Sequence, residues 1–359
     1  MTSTTGQGRS RMLRVSRVIE ETSDARSLVF EVPEADRERF AYRPGQFLTL
    51  RVPSERTGSV ARCYSIAGSP HHDDDLTVTV KRTADGYGSN WLCDNVDAGT
   101  EIEVLPPSGV FTPKNLDADF LLFAGGSGIT PVISIVKSAL TVGSGKIVLV
   151  YANRDESSVI FREQLAALAA RHPRRLTVIH WLESVQGLPG RGQLQALAAP
   201  FTGHESFVCG PAPFMAAVAD ALSSAGMPKT GIHLEVFTSL SGDPFTEPPP
   251  PQPDDTTAGP GESTITVPLE VEIGGRTHTF DWPTTTPLVD FLLGKGIDAP
   301  HSCRDGECGA CQATLLQGRV TMKHNEVLGE DDVAEGYILG CQSLPDSGGD
   351  DGETIKIEF

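Results

Sequence analysis

The 359-residue chain predicts a multidomain fold: an antiparallel β-barrel, an α/β domain around a parallel sheet, and a smaller α+β tail. Three observations carry this prediction. Residues 11–113 are a series of short alternating apolar runs with turn residues between them, the pattern of a small barrel. Residues 114–238 alternate near-continuous apolar runs with helical segments, the pattern of a doubly wound sheet covered on both faces. A polar, proline-rich stretch at 239–264 then sets off a tail, 265–359, with its own hydrophobic pattern.

Each element follows from its local pattern. MLRVSRVIEET, SLVFEVP, QFLTLRV, ARCYSIAG, LTVTVKRT and EIEVLPP read as the barrel strands, with one helix near Gly88–Asn95. DFLLFAG, KIVLVYANR, RLTVIHWLE, SFVCGP and IHLEVF read as the parallel strands. PVISIVKSALTVG, VIFREQLAALAARHP, GQLQALAAPF and PFMAAVADALSSAG supply the helices between them. The segment 239–264 has too few large apolar residues to offset its ordering entropy, so an extended tether is expected there. In the tail, TITVPLEVEIGGRTHTFDWP predicts two strands about Gly274–Gly275, and TPLVDFLLGKGI a helix. QATLLQGRVTM predicts a second hairpin, and ETIKIEF a last strand.

Composition narrows the function classes. Hydrophobic and charged shares of 39% and 21% are ordinary for a soluble globular protein. A net charge of −18 argues against nucleic acid or an anionic membrane as partner. From Glu262 onward, 18 acidic residues face 6 basic ones, so the tail offers a docking face for a basic partner, or simply solubility. No signal-like N-terminus and no 18-residue apolar run is present. A monomeric cytoplasmic protein is the expectation.

Seven cysteines make a poor disulfide framework in a reducing compartment. Four of them, Cys303, Cys308, Cys311 and Cys341, are spaced C-x4-C-x2-C-x29-C. Three ligands from one loop and a distant fourth is the plant-type [2Fe–2S] spacing, whereas structural zinc sites draw on two separated pairs. Gly306 and Gly309 give such a loop the backbone freedom to aim N–H groups at sulfur. Residues 265–359 thus resemble a plant-type ferredoxin domain of β-grasp fold. A cluster that carries single electrons implies a donor and an acceptor.

The donor side lies upstream. Arg62-Cys63-Tyr64-Ser65, then Thr79-Val80-Lys81, then Gly86-Tyr87-Gly88-Ser89 occur in order along the barrel. Together they resemble the FAD-binding barrel of the ferredoxin–NADP⁺ reductase superfamily. The resemblance implies that Arg62 neutralises the FAD pyrophosphate, Tyr64 stacks on the isoalloxazine, and Ser65 hydrogen-bonds near its N5. Gly86–Ser89 opens a helix whose free N–H groups meet phosphate. In the α/β part, Gly125-Gly126-Ser127-Gly128 joins a strand to a helix that begins around Ile129, Thr130 and Pro131. That turn suits a pyrophosphate. Cys209-Gly210-Pro211 forms a second strand-to-helix turn.

By the same resemblance Cys209 lies beside the reacting nicotinamide carbon without acting as a covalent nucleophile, while Glu235 and Phe237 end the last strand and the aromatic covers the flavin. The catalytic residues so implied are Cys209, Ser65, Glu235 and Phe237. Arg154 could clamp a 2′-phosphate, but the neighbouring Asp155 would repel one, so the residues alone leave NADH and NADPH both open.

The whole chain resembles the three-domain reductases of multicomponent oxygenases, in the order flavin, nicotinamide, ferredoxin. RPGQFLTLRVPSERTGSVARCYS, VTVKRTADGY, SNWLCD, YANRD, SVIF and HWLESVQGLP are most similar to the subgroup serving 3-ketosteroid 9α-hydroxylation. The resemblance implies NADH as donor, FAD and a [2Fe–2S] cluster as carriers, and a Rieske non-haem iron oxygenase as receiver. Reductases of di-iron oxygenases such as phenylacetyl-CoA epoxidase share the module order. A diaphorase-like flavoenzyme with a redox-sensing cluster, and a zinc-stapled binding module, are the other readings.

Overall fold

The computed structural model describes residues 9–237, 240, 243–245, 265–346 and 354–359. The chain divides into two compact units, one of them Ser10–Phe237 and the other holding the tail. Most of the expected tether, 239–264, lies outside the described residues.

The first unit opens with six antiparallel strands: β1 (Arg11–Thr22), β2 (Ala25–Glu31), β3 (Phe47–Ser54), β4 (Gly58–Ser65), β5 (Leu76–Lys81) and β6 (Glu101–Val104). Their order is β4-β3-β6-β1-β2-β5, and a bridge between Ile66 and Val78 links the two edges. Alternation decides the inside: Leu13 and Val15 of β1, and Leu48, Leu50 and Val52 of β3, pack in one buried cluster. Helix α1 (Tyr87–Asn95) adds Leu92 and Cys93 to it.

The α/β half runs β7 (Phe120–Gly125), α2 (Ile129–Val142), β8 (Ile147–Asn153), α3 (Arg162–Arg171) and β9 (Leu176–Leu182). It continues through α4 (Glu183–Gln186), α5 (Arg191–Ala198), β10 (Glu205–Cys209), α6 (Ala212–Ala225) and β11 (Ile232–Glu235). All four pairings are parallel, in the order β11-β10-β7-β8-β9. FLLFA is apolar throughout because both faces are covered: Phe120, Leu122 and Ala124 pack with α2 and α3, and Leu121 and Phe123 with α5 and α6. Consecutive strands thus deliver their following turns to the same end of the sheet, where ligands of such sheets bind.

In the second unit, β12 (Thr266–Ile273) and β13 (Arg276–Pro283) form the expected hairpin, followed by α7 (Leu288–Gly294). β14 (Gln312–Gln317), β15 (Val320–Met322), α8 (Glu330–Ala334), β16 (Tyr337–Leu339), β17 (Ser343–Pro345) and β18 (Ile355–Glu358) complete it. The sheet order is β13-β12-β18-β14-β16, with β12 and β18 parallel at its centre. The predicted hairpin at QATLLQGRVTM does not form. β14 pairs with β18 and β16, while β15 pairs with β17 in a separate ribbon. The reason is tertiary: Ala313 and Leu315 join the core through β18, and after Gly318 (φ 88°), packed on Ile355, the chain pairs elsewhere.

Candidate functional site

The flavin motif occupies the end of β4 and the start of α1. Arg62 anchors its Nη1 on the Ala61 carbonyl at 2.7 Å. A Cβ on Gly88 would lie 2.8 Å from Arg62 Cγ, so the bare glycine lets the arginine cross the first turn of α1. Sequence motifs 26 residues apart are thereby brought together. Tyr64 packs on the barrel core, and burial pushes its phenol pKa up. Ser65 is buried, and its Oγ has no hydrogen-bond partner among the described residues. An orphaned hydroxyl is costly unless something binds there, and a flavin ring edge fits that vacancy in its bonding.

Other motif residues turn out to be engaged in the frame. Thr79 Oγ1 pairs with Ser27 Oγ at 2.7 Å, and Val80 is buried in the barrel. The Ser89 hydroxyl accepts from Thr83 N at 3.2 Å, Tyr87 donates its hydroxyl to Pro53 O at 2.8 Å, and Gly86 precedes α1 as its N-cap. Cys63 contacts Thr49 Oγ1 at 3.5 Å. Lys81 points toward the other motif: its Nζ is 3.8 Å from where a Cβ on Gly126 would stand.

The two nucleotide turns touch. A Cβ on Gly128 would lie 2.1 Å from the Cys209 carbonyl oxygen, one on Gly125 would lie 2.9 Å from Pro211 Cδ, and one on Gly210 would lie 3.0 Å from Gly125 N. Only backbone without side chains packs this closely. Thr130 closes the first turn by donating to Ser127 O at 2.9 Å, and Ile129 and Pro131 are buried in the first turn of α2.

Cys209 pairs in register with Glu235 across β10 and β11. Burial, reinforced by Glu235, pushes the Cys209 thiol pKa well up, which suits a neutral neighbour of a reacting ring rather than a nucleophile. Burial also lifts Glu235 to about 8. Phe237, 48% exposed, is the last residue of this unit.

The four thiols gather as two pairs. The Cys303 N–H donates to Cys308 Sγ at 3.4 Å, and Cys311 Sγ lies 3.1 Å from Cys341 Sγ. Hydrogen bonding from Cys308 draws the Cys303 thiol down, and the N–H groups of Asp305 and Glu307 point at its sulfur, each 3.4 Å away. Gly306 makes this possible at φ 77°, because a Cβ there would lie 2.7 Å from His324 O. Among the described residues no three His, Cys, Asp or Glu side chains converge as a single-ion site requires. Two thiol pairs, the first with N–H groups aimed at its sulfurs, are a donor set that would hold a two-iron cluster.

The same three kinds of domain occur in known proteins. The chain matches the models of the oxidoreductase FAD-binding domain over residues 12–112, the oxidoreductase NAD-binding domain over 122–220, and the 2Fe-2S iron-sulfur cluster binding domain over 271–346. It is an oxidoreductase with sites for FAD, a nicotinamide dinucleotide and a [2Fe–2S] cluster. It is 60% identical over 351 residues to the 3-ketosteroid-9-alpha-monooxygenase ferredoxin reductase component of Rhodococcus rhodochrous, covering 98% of this chain and 97% of that one. The corresponding component of Mycolicibacterium smegmatis is 59% identical over 336 residues, covering 93% and 94%. The chain therefore belongs to the family of 3-ketosteroid-9-alpha-monooxygenase ferredoxin reductase components. The solved phthalate dioxygenase reductase shares the fold, with a TM-score of 0.56 at 21% identity over 98% of each chain. Among the described residues no helix is long and apolar enough to cross a membrane.

Sequence reasoning missed Asp24, Lys137 and Asp73. Asp24 binds Arg154, 130 positions away, and Lys137 binds Asp73, 64 positions away. A lone turn aspartate and a lone helix lysine carry no local signal of such partners.

Proposed function

We propose that the chain accepts a hydride from NADH between the Gly125–Gly128 and Cys209–Pro211 turns, and delivers electrons singly to the oxygenase of a 3-ketosteroid 9α-monooxygenase. The observation that carries this reading is the gathering of four thiols in two pairs, one of them met by backbone N–H donors: it gives the chain an outlet for single electrons. Bound FAD supplies the exchange between two-electron and one-electron transfer, and a [2Fe–2S] cluster carries one electron at a time.

The protein's own part is to hold and orient. Arg62 and the N–H groups at the start of α1 neutralise the FAD pyrophosphate, Tyr64 flanks the ring, and Ser65 supplies a hydrogen bond at the ring edge. Backbone N–H groups of the Gly125–Gly128 turn hold the nucleotide pyrophosphate, and Cys209 with Glu235 packs against the nicotinamide. Phe237, at the end of the same unit, offers its face to the flavin. Cys303, Cys308, Cys311 and Cys341 ligate iron. The acidic second unit docks on a basic patch of the oxygenase, for which the sequence resemblance suggests the Rieske non-haem iron class.

The test is a coupled assay. Purified chain, NADH and the Rieske-type steroid oxygenase should together consume O₂ and hydroxylate a 3-ketosteroid, with NADPH a poorer donor. Coupling to a di-iron oxygenase, but not to the Rieske enzyme, would overturn the partner.

A further inference from the structure

In the sequence, Arg154 and Asp155 oppose each other as guides to the nicotinamide nucleotide. The structure gives each a different partner. Asp155 turns back on its own chain, where its Oδ1 accepts from Ser158 N at 3.0 Å and from Ser157 Oγ at 2.7 Å. Arg154 reaches across to the barrel: its Nη2 donates to Asp24 Oδ2 at 2.9 Å. The same oxygen stands 3.9 Å from Lys81 Nζ. Asp24 is itself held in place, since its Oδ1 accepts from Thr22 Oγ1 at 2.8 Å.

The two cations share the one carboxylate oxygen, Asp24 Oδ2, and Lys81 stands at the glycine turn. Lys81 Nζ is within 3.8 Å of the Cβ position of Gly126, whose φ of 54° opens the turn. Two cations beside backbone N–H groups at the start of a fourteen-residue helix make an anion site. A protein carboxylate already occupies its cations. Arg154 is largely exposed, with 66% of its side chain open, so the Asp24 pair is weak enough to exchange.

We propose that Asp24 is a built-in competitor for the dinucleotide's phosphates: it holds Arg154 and Lys81 when no nucleotide is bound and yields them when a pyrophosphate enters the Gly126 turn. This rests on the reading of that turn as the nicotinamide dinucleotide site. The arrangement keeps two long side chains aimed at the site, which lowers the ordering cost of binding. It also returns a counter-charge to them on release, so spent nucleotide leaves without stranding two cations.

ADP-ribose tests this directly, because it carries the pyrophosphate but has no nicotinamide and cannot react. Calorimetric titration of the FAD-loaded full chain measures its Kd. Asp24→Asn should tighten ADP-ribose about two- to fivefold, the range for one exposed ion pair. In an Arg154→Ala, Lys81→Ala background the same substitution should change Kd less than about twofold, because its targets are gone. Asp24→Ser, which also keeps an oxygen for Thr22, should act in the same direction, and it decides the matter if Asp24→Asn does not fold. Unchanged or weaker binding in the folded Asp24 variants overturns the competitor role. Failure of the underlying reading looks different: the wild-type chain itself then shows no ADP-ribose binding.

Discussion

Gly128 and Cys209 meet backbone to backbone: a Cβ on the glycine would stand 2.1 Å from the cysteine's carbonyl oxygen. This contact joins the turn after β7 to the turn after β10. Gly128 has φ −62°, so alanine suits its backbone angles and only the collision is at stake. Gly128→Ala should cost about 1–3 kcal/mol of stability through overpacking. By spreading the two turns it should also lower kcat/KM for NADH roughly 10- to 100-fold. Thermal melts and steady-state kinetics check both, and wild-type values would show that the turns need no such contact.

Glu235 gives the molecule a pH dependence of definite sign. Its carboxyl ionises near 4.5 when solvated and at about 8 in the fold. Between those values the unfolded chain releases the proton and the native one keeps it, so stability falls as pH rises and levels off above about 8. Glu235→Gln should flatten that slope. Urea denaturation from pH 5 to pH 9 measures it, and equal slopes in the two proteins would refute the assignment.

Lys137 fastens the barrel to the nucleotide helix. Its side chain is 6% exposed, and its Nζ donates to Asp73 Oδ2 at 2.9 Å and to Ala67 O at 3.1 Å. Ser134 donates to Gly68 O beside it, and Ser138 pairs with Ser69 at 2.7 Å. The loop so held follows directly from Ser65. Lys137→Met would leave Asp73 and a carbonyl without their cation, at a cost of roughly 3 kcal/mol. The melting temperature should fall by several degrees, and an unchanged one would mean the seam does not depend on this pair.

Docking through the acidic second unit predicts salt sensitivity. Between low salt and about 0.5 M NaCl, kcat/KM for the oxygenase component should fall roughly tenfold. Constant turnover would assign the excess of 18 acidic over 6 basic residues from Glu262 onward to solubility.

Much of this was legible in the residues. Cys303, Cys308, Cys311 and Cys341 announce their chemistry through spacing, and FLLFA announces a strand covered on both faces through unbroken apolarity. Arg62 and Gly88 could be named from motifs, although the packing of the arginine over the bare glycine could not. The rest was illegible for physical reasons. QATLLQGRVTM has the local alternation of a hairpin, but strand pairing is decided by which edge buries Ala313 and Leu315, and that edge is β18. Asp24 and Lys137 matter through partners brought together by the fold, and no short window contains both ends of such a pair.

The central claim is that one chain carries electrons from NADH through a flavin to the four-thiol site. Anaerobic titration with NADH, followed at once by visible absorbance and by electron paramagnetic resonance, tests it most directly. The wild-type protein should bleach its flavin and develop the signal of a reduced [2Fe–2S] cluster, while Cys308→Ser should bleach the flavin alone. Flavin bleaching in the wild-type protein with no reduced-cluster signal would contradict the account.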